Sequence, residues 1–478
     1  MFEELEPRDV LHWFEEISNI PRGSKNEKEI SEYMLNFAKE RGLYAKRDEV
    51  YNVIIKKPAT EGLEDGPTII LQGHMDMVCV KTEDSKHDFL KDPLKLKIDD
   101  GWIRADKTTL GADNGIAVAY CLALLDSKDI PHSNLEILFT TMEELGMGGA
   151  SKVDGSDLEG KYLINMDGEL EGDLLVGCAG AVTMTSTKKI TFVKPSLSDH
   201  YCMRIYGLKG GHSGMQIENF RSNSIKFVAR LLHNLKNVEI AYVDAGYKRN
   251  AIPSYAKVYF YTDENSIDEI KKRARVLEFE HRKTDPLMKI DIEKEEEVFD
   301  MVWSEKSKVD VLNCLISVPD QVIYMDPEFK GLVQTSISNG VLRQTDDEIS
   351  LVALLRSTVQ SCLDEYRISY ETIVNAFGFT LTDDGGYPVW EHDENSTLKN
   401  IAVDVYKKIY YANPTVHTIH CGLECGILKK HLPNVDMISF GPTMHDVHTP
   451  NERLSIDSVR RVWIFLKELV TTLSNTKE

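Results

Sequence analysis

The chain is poor in positive charge. Its 56 Lys and Arg face 77 Asp and Glu, a formal net charge of −21 over 478 residues. A nucleic-acid partner needs a basic surface to displace counterions from phosphate, so that class is excluded. An anionic membrane surface is disfavoured for the same reason. No apolar run of about twenty residues occurs, so no membrane-spanning helix is expected. The opening MFEELEPRDVLHWFEEI places acids where a secretory leader needs a basic and then an apolar stretch. The 8 cysteines form no regular framework and read as reduced thiols of a cytoplasmic protein. Cys421 and Cys425 lack the second pair that a structural zinc site needs, so they read as packing residues. Low-complexity tracts and convincing short repeats are absent.

What is present is enough apolar content, 42%, to build substantial cores, and a length that predicts two or three domains. Apolar periodicity predicts helices over 8–20, 25–41, 115–126, 396–409 and 456–473. Strands are expected near 49–56, 68–72, 135–141, 162–165 and 435–440, with a hairpin around Asp99-Asp100-Gly101. Strands alternating with helices indicate an α/β domain with a mixed sheet flanked by helices. The texture changes near residue 185. Strands at 200–206, 238–243, 255–262 and 287–292 mix with helices expected at 222–235, 266–281 and 346–360. This predicts an α+β domain over 185–384, inserted into an α/β domain made of 1–184 and 385–478. The charge run at 293–299 reads as a solvated face.

Residues able to carry chemistry recur at the ends of the apolar strands. The strand Ile69-Ile70-Leu71 runs into Gly73-His74-Met75-Asp76, where His74 and Asp76, two apart, share a face. In TTLGADNGIA, Asp113 stands between glycines ahead of an apolar helix, either as an N-cap or as an acid that bridges two cations. The strand from Leu135 delivers Glu143 and Glu144 into a glycine-punctuated turn. Two adjacent carboxylates repel in a low-dielectric place unless a cation or a shared proton intervenes. Asp167 follows the strand Tyr162–Asn165, at the strand end where open α/β sheets place their sites. FGPTMHDVHTP adds His445, Asp446 and His448. Each feature alone has an ordinary structural reading. Together they form a mixed nitrogen and oxygen donor set suited to Zn²⁺ or a similar divalent ion. Two cations bridged by one carboxylate can share a hydroxide and polarise a carbonyl, with a spare Glu as general base.

In order and spacing, GHMDMV, TTLGADNGIA, TTMEELGMGGA, NMDGE and GPTMHDVHTPNERL resemble the di-zinc metallopeptidases that include carboxypeptidase G, aminoacylases and carnosinase-like dipeptidases. The likeness extends to HDFLKDPL, GLKGGHSG, RNAIP and HCGLECG, and so to essentially the whole chain. It implies a di-zinc exopeptidase-like catalytic domain interrupted by an inserted lid. It also implies that His74 and Asp167 bind one metal, Glu144 and His448 the other, and that Asp113 bridges both through a turn whose Asp113–Asn114 bond is cis. Asp76 would orient His74, and Glu143 would be the general base. In the lid, His212 would help hold the tetrahedral oxyanion, while Asn250 and Arg356 would grip the substrate carboxylate. Glu424 would sit near the substrate amine. The register of Thr449-Pro450-Asn451-Glu452-Arg453 favours His448 over His445 as the ligand.

The activity this implies is hydrolysis of Xaa-His and other unblocked dipeptides, with two divalent ions, most simply zinc, although manganese or cobalt would accept the same donors. A tripeptidase, a β-alanyl dipeptidase or an N-acyl-amino-acid deacylase would share the metal centre. A non-catalytic metal- or peptide-binding protein would not need Glu143. Small dipeptides are the expected partners, and a homodimer through the lid is the expected assembly.

Overall fold

The computed structural model describes residues 2, 4–296 and 298–476. The chain divides into two compact units, one of Met1–Cys178, Trp390–Thr418 and Leu423–Glu478, the other of Ala179–Val389 and Ile419–Gly422.

The first unit is built on an eight-stranded mixed sheet. Its order is Tyr44–Arg47, Val53–Lys57, Leu135–Thr140, Ile69–His74, Tyr162–Asn165, Asp436–Ser439, Asp173–Cys178 and Thr415–Ile419. The strands Leu135–Thr140, Ile69–His74, Tyr162–Asn165 and Asp436–Ser439 run parallel in that order. Their residues are buried almost without alternation, as expected of strands covered on both faces. Register then aligns their ends: His74 lies beside Thr140, Gln72 beside Asn165, and Asn165 beside Ser439. Whatever follows each strand therefore emerges along one edge.

Helix Ala112–Asp126 is apolar all round, which suits a helix with no solvent face. It packs between the strand Ile69–His74 and the helix Arg8–Ser18. Tyr120 anchors it to the closing helix Ile456–Ser474, donating from its hydroxyl to the Val459 carbonyl (2.9 Å) and stacking on Trp463. The close approach to the sheet is made at Gly73, where a Cβ would fall 2.6 Å from the Ala117 Cβ and 2.6 Å from the Asn114 Oδ1. A separate four-stranded sheet, ordered Met444–His445, Arg453–Ser455, Trp102–Ala105 and Leu96–Asp99, ties the loop that holds His448 to the hairpin at residues 96–105.

The second unit is an antiparallel sheet with helices. Its order is Lys289–Lys294, His200–Tyr206, Ala256–Thr262, Val238–Ala245, Val333–Gln344, Glu348–Ser357, Gly180–Lys189 and Thr380–Tyr387, with Gln321–Met325 on Val333–Gln344. Helices Ser224–Leu232, Glu264–His281, Glu305–Ser317 and Gln360–Ala376 cover a core that includes Phe227, Phe260, Leu315, Leu355 and Tyr370. One expectation is corrected here. Residues 346–360 are not a helix: Glu348–Ser357 is a strand, with Ile349, Leu351, Ala353 and Leu355 pointing into the core at period two, and the helix begins only at Gln360. The strand Thr380–Tyr387 pairs back on Gly180–Lys189, so this unit continues past residue 384. In the charge run 293–299 Glu297 lies outside the described residues, while Glu293, Lys294, Glu296 and Val298 are exposed. Cys121, Cys202, Cys314 and Cys425 are buried free thiols. No helix among the described residues is long and apolar enough to cross a membrane.

Because Gly73 leaves no room for a methyl group, Gly73→Ala should wedge the helix Ala112–Asp126 away from the sheet. Overpacking of this kind costs about 1–3 kcal/mol, to be read as a lowered thermal midpoint. An unchanged midpoint would show that the contact is compliant.

Candidate metal centre

Five segments of the first unit bring His74, Asp113, Glu143 with Glu144, Asp167 and His448 together. Donor atoms of His74, Asp113 and Asp167 lie within 4.8 Å of one another, as do those of Asp113, Glu144 and His448, and those of His74, Glu143 and Glu144. Asp113 belongs to two of these groups. Its Oδ1 lies 3.0 Å from His74 Nε2 and its Oδ2 lies 3.0 Å from His448 Nε2, so one carboxylate faces both imidazoles. His74 Nε2 is also 3.5 Å from Asp167 Oδ1, and His448 Nε2 is 3.0 Å from Glu144 Oε2. Glu143 stands slightly apart, its Oε2 4.0 Å from His74 Nε2. The Asp113–Asn114 bond is cis.

Asp76 is the organiser beneath this cluster. Its carboxylate accepts the Ser24 hydroxyl (2.8 Å) and the backbone N–H groups of Glu143 (3.1 Å) and Glu144 (3.4 Å). It also lies 3.4 Å from His74 Nδ1, whose other neighbour is the Asp76 carbonyl oxygen at 3.1 Å. One side chain thus fixes the ring of His74 and the turn carrying both glutamates. Glu27 adds a hold on the same turn by accepting the Met142 N–H (3.0 Å), with Met142 itself at φ 52°. His445 stands elsewhere: its ring packs against Trp102 at a tilt (centroids 5.3 Å apart), and of the two only His448 enters the donor cluster.

Charge balance tests whether the residues suit a metal. Burial pushes the carboxyls of Glu143, Glu144 and Asp167 upward, and repulsion adds to it, from Asp167 on Glu143 and from Asp113 on the other two. Burial opposes ionisation of Asp113 as well, but the two imidazoles hold it below the ordinary carboxylate range. Asp113 and Glu144 push His448 up to about 11. Burial would lower His74, yet Asp167, Asp113 and Asp76 raise it well above its ordinary value. The cluster is therefore short of positive charge, and its imidazole and carboxylate donors are those a pair of divalent cations would take.

Glu424 is fully buried in the same unit. Its Oε2 accepts Gln72 Nε2 (2.6 Å) and the Thr140 hydroxyl (2.7 Å), and Asn165 Nδ2 in turn donates to Gln72 Oε1 (2.5 Å). Its Oε1 is buried without a hydrogen-bond partner. Burial, with repulsion from Asp167, raises this carboxyl to about 7. Gln72, Arg22 and Glu452 escaped the sequence reading. Only Glu452 had a visible clue, its place four residues after His448.

The other predicted residues belong to the second unit. The strand Gly211–His212 pairs with Ala251–Ile252, joining the two motifs GLKGGHSG and RNAIP. His212 Nδ1 accepts the N–H groups of Gly214 (3.2 Å) and Met215 (3.1 Å), so the neutral ring carries its proton on Nε2. Burial, helped by Arg356, lowers His212 to about 4, which keeps it neutral. Arg356, buried on the strand Glu348–Ser357, donates to the Tyr387 hydroxyl, while its Nε is buried without a hydrogen-bond partner. Both side chains flank Gly214, where a Cβ would lie 3.1 Å from His212 Cε1 and 3.2 Å from Arg356 Nε. Asn250 is exposed, and its carbonyl accepts the Ser213 N–H (2.9 Å).

Fold and donor set together define a class, an α/β domain with an inserted α+β unit and a donor cluster suited to two divalent ions. The chain belongs to peptidase family M20/M25/M40, whose model matches residues 70–472, and is accordingly a metal-dependent peptide hydrolase. It is 34% identical to the cytosol non-specific dipeptidase of Escherichia coli K12 over 98% of each chain. Its structure is similar to aminoacylhistidine dipeptidase from Vibrio alginolyticus, with a TM-score of 0.89, 35% identity, and coverage of 99% of this chain and 98% of that one. Aminopeptidase PepT from Bacillus cereus shares the fold at a TM-score of 0.57 and 16% identity, over 98% of this chain and 100% of that one.

His420, held in the second unit by Ser336 Oγ at 2.7 Å, is lowered to about 3 by burial and then by Arg356. An unfolded histidine protonates below about pH 6.5. This group therefore leaves stability intact above that pH, removes it as pH falls, and stops removing it only near pH 3. The loss should reach about 2 kcal/mol at pH 5. The fall in thermal midpoint from pH 7 to pH 5 should shrink in His420→Gln; an undiminished fall would refute the assignment.

Proposed function

We propose that the chain is a cytoplasmic dipeptidase that hydrolyses Xaa-His and other unblocked dipeptides. The roles are those expected from the resemblance: His74 and Asp167 hold one divalent ion, Glu144 and His448 the other, and Asp113 bridges them. Zinc is the ion this donor set suits best, with manganese and cobalt as competitors. The observation that carries the reading is the single Asp113 carboxylate facing both imidazoles, with Glu143 alongside and set apart.

Bound ions would polarise the scissile carbonyl and acidify an attacking water. Glu143 takes the proton from that water and passes it to the departing amine, while the N–H bond from Glu143 to Asp76 holds its backbone in place. His212, neutral with its proton on Nε2, is a hydrogen-bond donor for the oxyanion. Arg356 offers an unpartnered Nε to the substrate carboxylate, with Asn250 as a second donor. The buried, unpartnered Oε1 of Glu424 suits a free α-ammonium group, which brings a compensating positive charge as well as hydrogen-bond donors, whereas an acylated nitrogen brings no charge. We assign the second unit the role of lid, and a homodimer through its edge strand Lys289–Lys294, which would pair with its counterpart in a second copy.

Glu143→Gln should keep two metal ions per chain and lose about 10²–10⁴-fold in kcat; full turnover in that variant would refute the mechanism. Against a panel of free dipeptides, tripeptides and N-acetylated amino acids, the wild type should favour the free dipeptides. Glu424→Gln should narrow that preference through KM. Preference for the N-acetylated compounds would make the chain a deacylase instead.

A further inference from the structure

Arg22 is the largest fully buried side chain among the described residues and lies in no recognised motif. Its Nη1 donates to the carbonyls of Met75 (3.0 Å) and Asp76 (3.3 Å), directly after His74, and its Nη2 donates to the Gly111 carbonyl (2.5 Å), directly before the Asp113 turn. Glu452, only 2% exposed, meets the same turn from the other side. One of its oxygens accepts the N–H groups of Leu110 (2.7 Å) and Gly111 (3.0 Å), and the other accepts those of Ala112 (2.8 Å) and Asp113 (3.4 Å). Gly111 is thus held at both ends, its N–H by the acid and its carbonyl by the guanidinium. Space is reserved for the grip. A Cβ on Gly111 would fall 2.7 Å from Arg22 Nη2, and one on Gly115 would fall 2.5 Å from it.

We propose that Arg22 and Glu452 are positioning residues for the metal centre, a buried cation and anion that fix the spacing between the turns bearing His74, Asp113 and His448. The inference rests on the reading of those three as ligands. Neither residue is placed to touch an ion or the substrate. Each acts on backbone: Arg22 ties the His74 turn to the Asp113 turn, and Glu452 ties the Asp113 turn to the loop that holds His448. Arginine is required because a planar fork reaches carbonyls of two separate segments, whereas a lysine is a single point donor. Glutamate is required because two oxygens take four converging N–H groups.

The test is metal affinity, measured on chelator-stripped full-length protein by zinc titration against a chromophoric competitor, beside the thermal midpoint of the metal-free form. Glu452→Gln and Arg22→Met should each weaken zinc binding about 10–100-fold, with kcat/KM falling in step and Arg22→Lys recovering part of the loss. If Arg22→Met does not fold, Gly115→Ala, which presses on the guanidinium while leaving every donor in place, should weaken binding in the same direction. Variants that lose thermal stability but bind zinc like the wild type would overturn the proposal and leave the pair a packing device. A wild type that takes up no stoichiometric zinc or manganese would instead overturn the ligand reading beneath it.

Discussion

Repulsion among buried carboxylates is the constraint on which the centre of this molecule depends. Asp113, Glu143, Glu144 and Asp167 converge in one cluster, where burial raises the carboxyls of the last three and two imidazoles hold Asp113 below the ordinary range. They are held there by a sheet whose parallel strands end in register, by a helix with no solvent face, and by neighbours that consume their backbone N–H groups. Such an arrangement is costly for a protein that has no use for it. It becomes favourable when cations share the space, which is why the donor set and the fold point to the same chemistry.

The supporting groups work on backbone more than on side chains. Asp76 accepts N–H groups from Glu143 and Glu144 while facing the ring of His74. Glu452 gathers four N–H groups from residues 110–113. Gln72 and Thr140, on adjacent parallel strands, hold one oxygen of Glu424 and leave the other without a partner. The first unit thus carries a layer of polar groups beneath the donors, tied mainly to backbone, and hydrogen bonding of that kind stiffens the turns above it.

Much of this was legible in the amino-acid sequence. The apolar strands, the acids and imidazoles at their ends, and the all-apolar helix after Asp113 are local patterns, and the structure brings His74, Asp113, Glu143, Glu144, Asp167 and His448 together while leaving His445 outside. The segment 346–360 was misread because Leu351, Leu354 and Leu355 satisfy a helical spacing as readily as an alternating one, and only pairing with Val333–Gln344 and Gly180–Lys189 decides between them. Arg22 and Gln72 were invisible for another reason. Their partners lie far along the chain, at Gly111 and at Glu424, and no local periodicity marks a side chain whose role is to satisfy distant backbone or a distant acid.

The short distance in sequence between His448 and Glu452 makes that stretch a ruler. One end faces Asp113 Oδ2 and the other accepts Asp113's own N–H, so both ends measure from a single residue. Inserting or deleting one residue between them would slip the imidazole against the carboxylate.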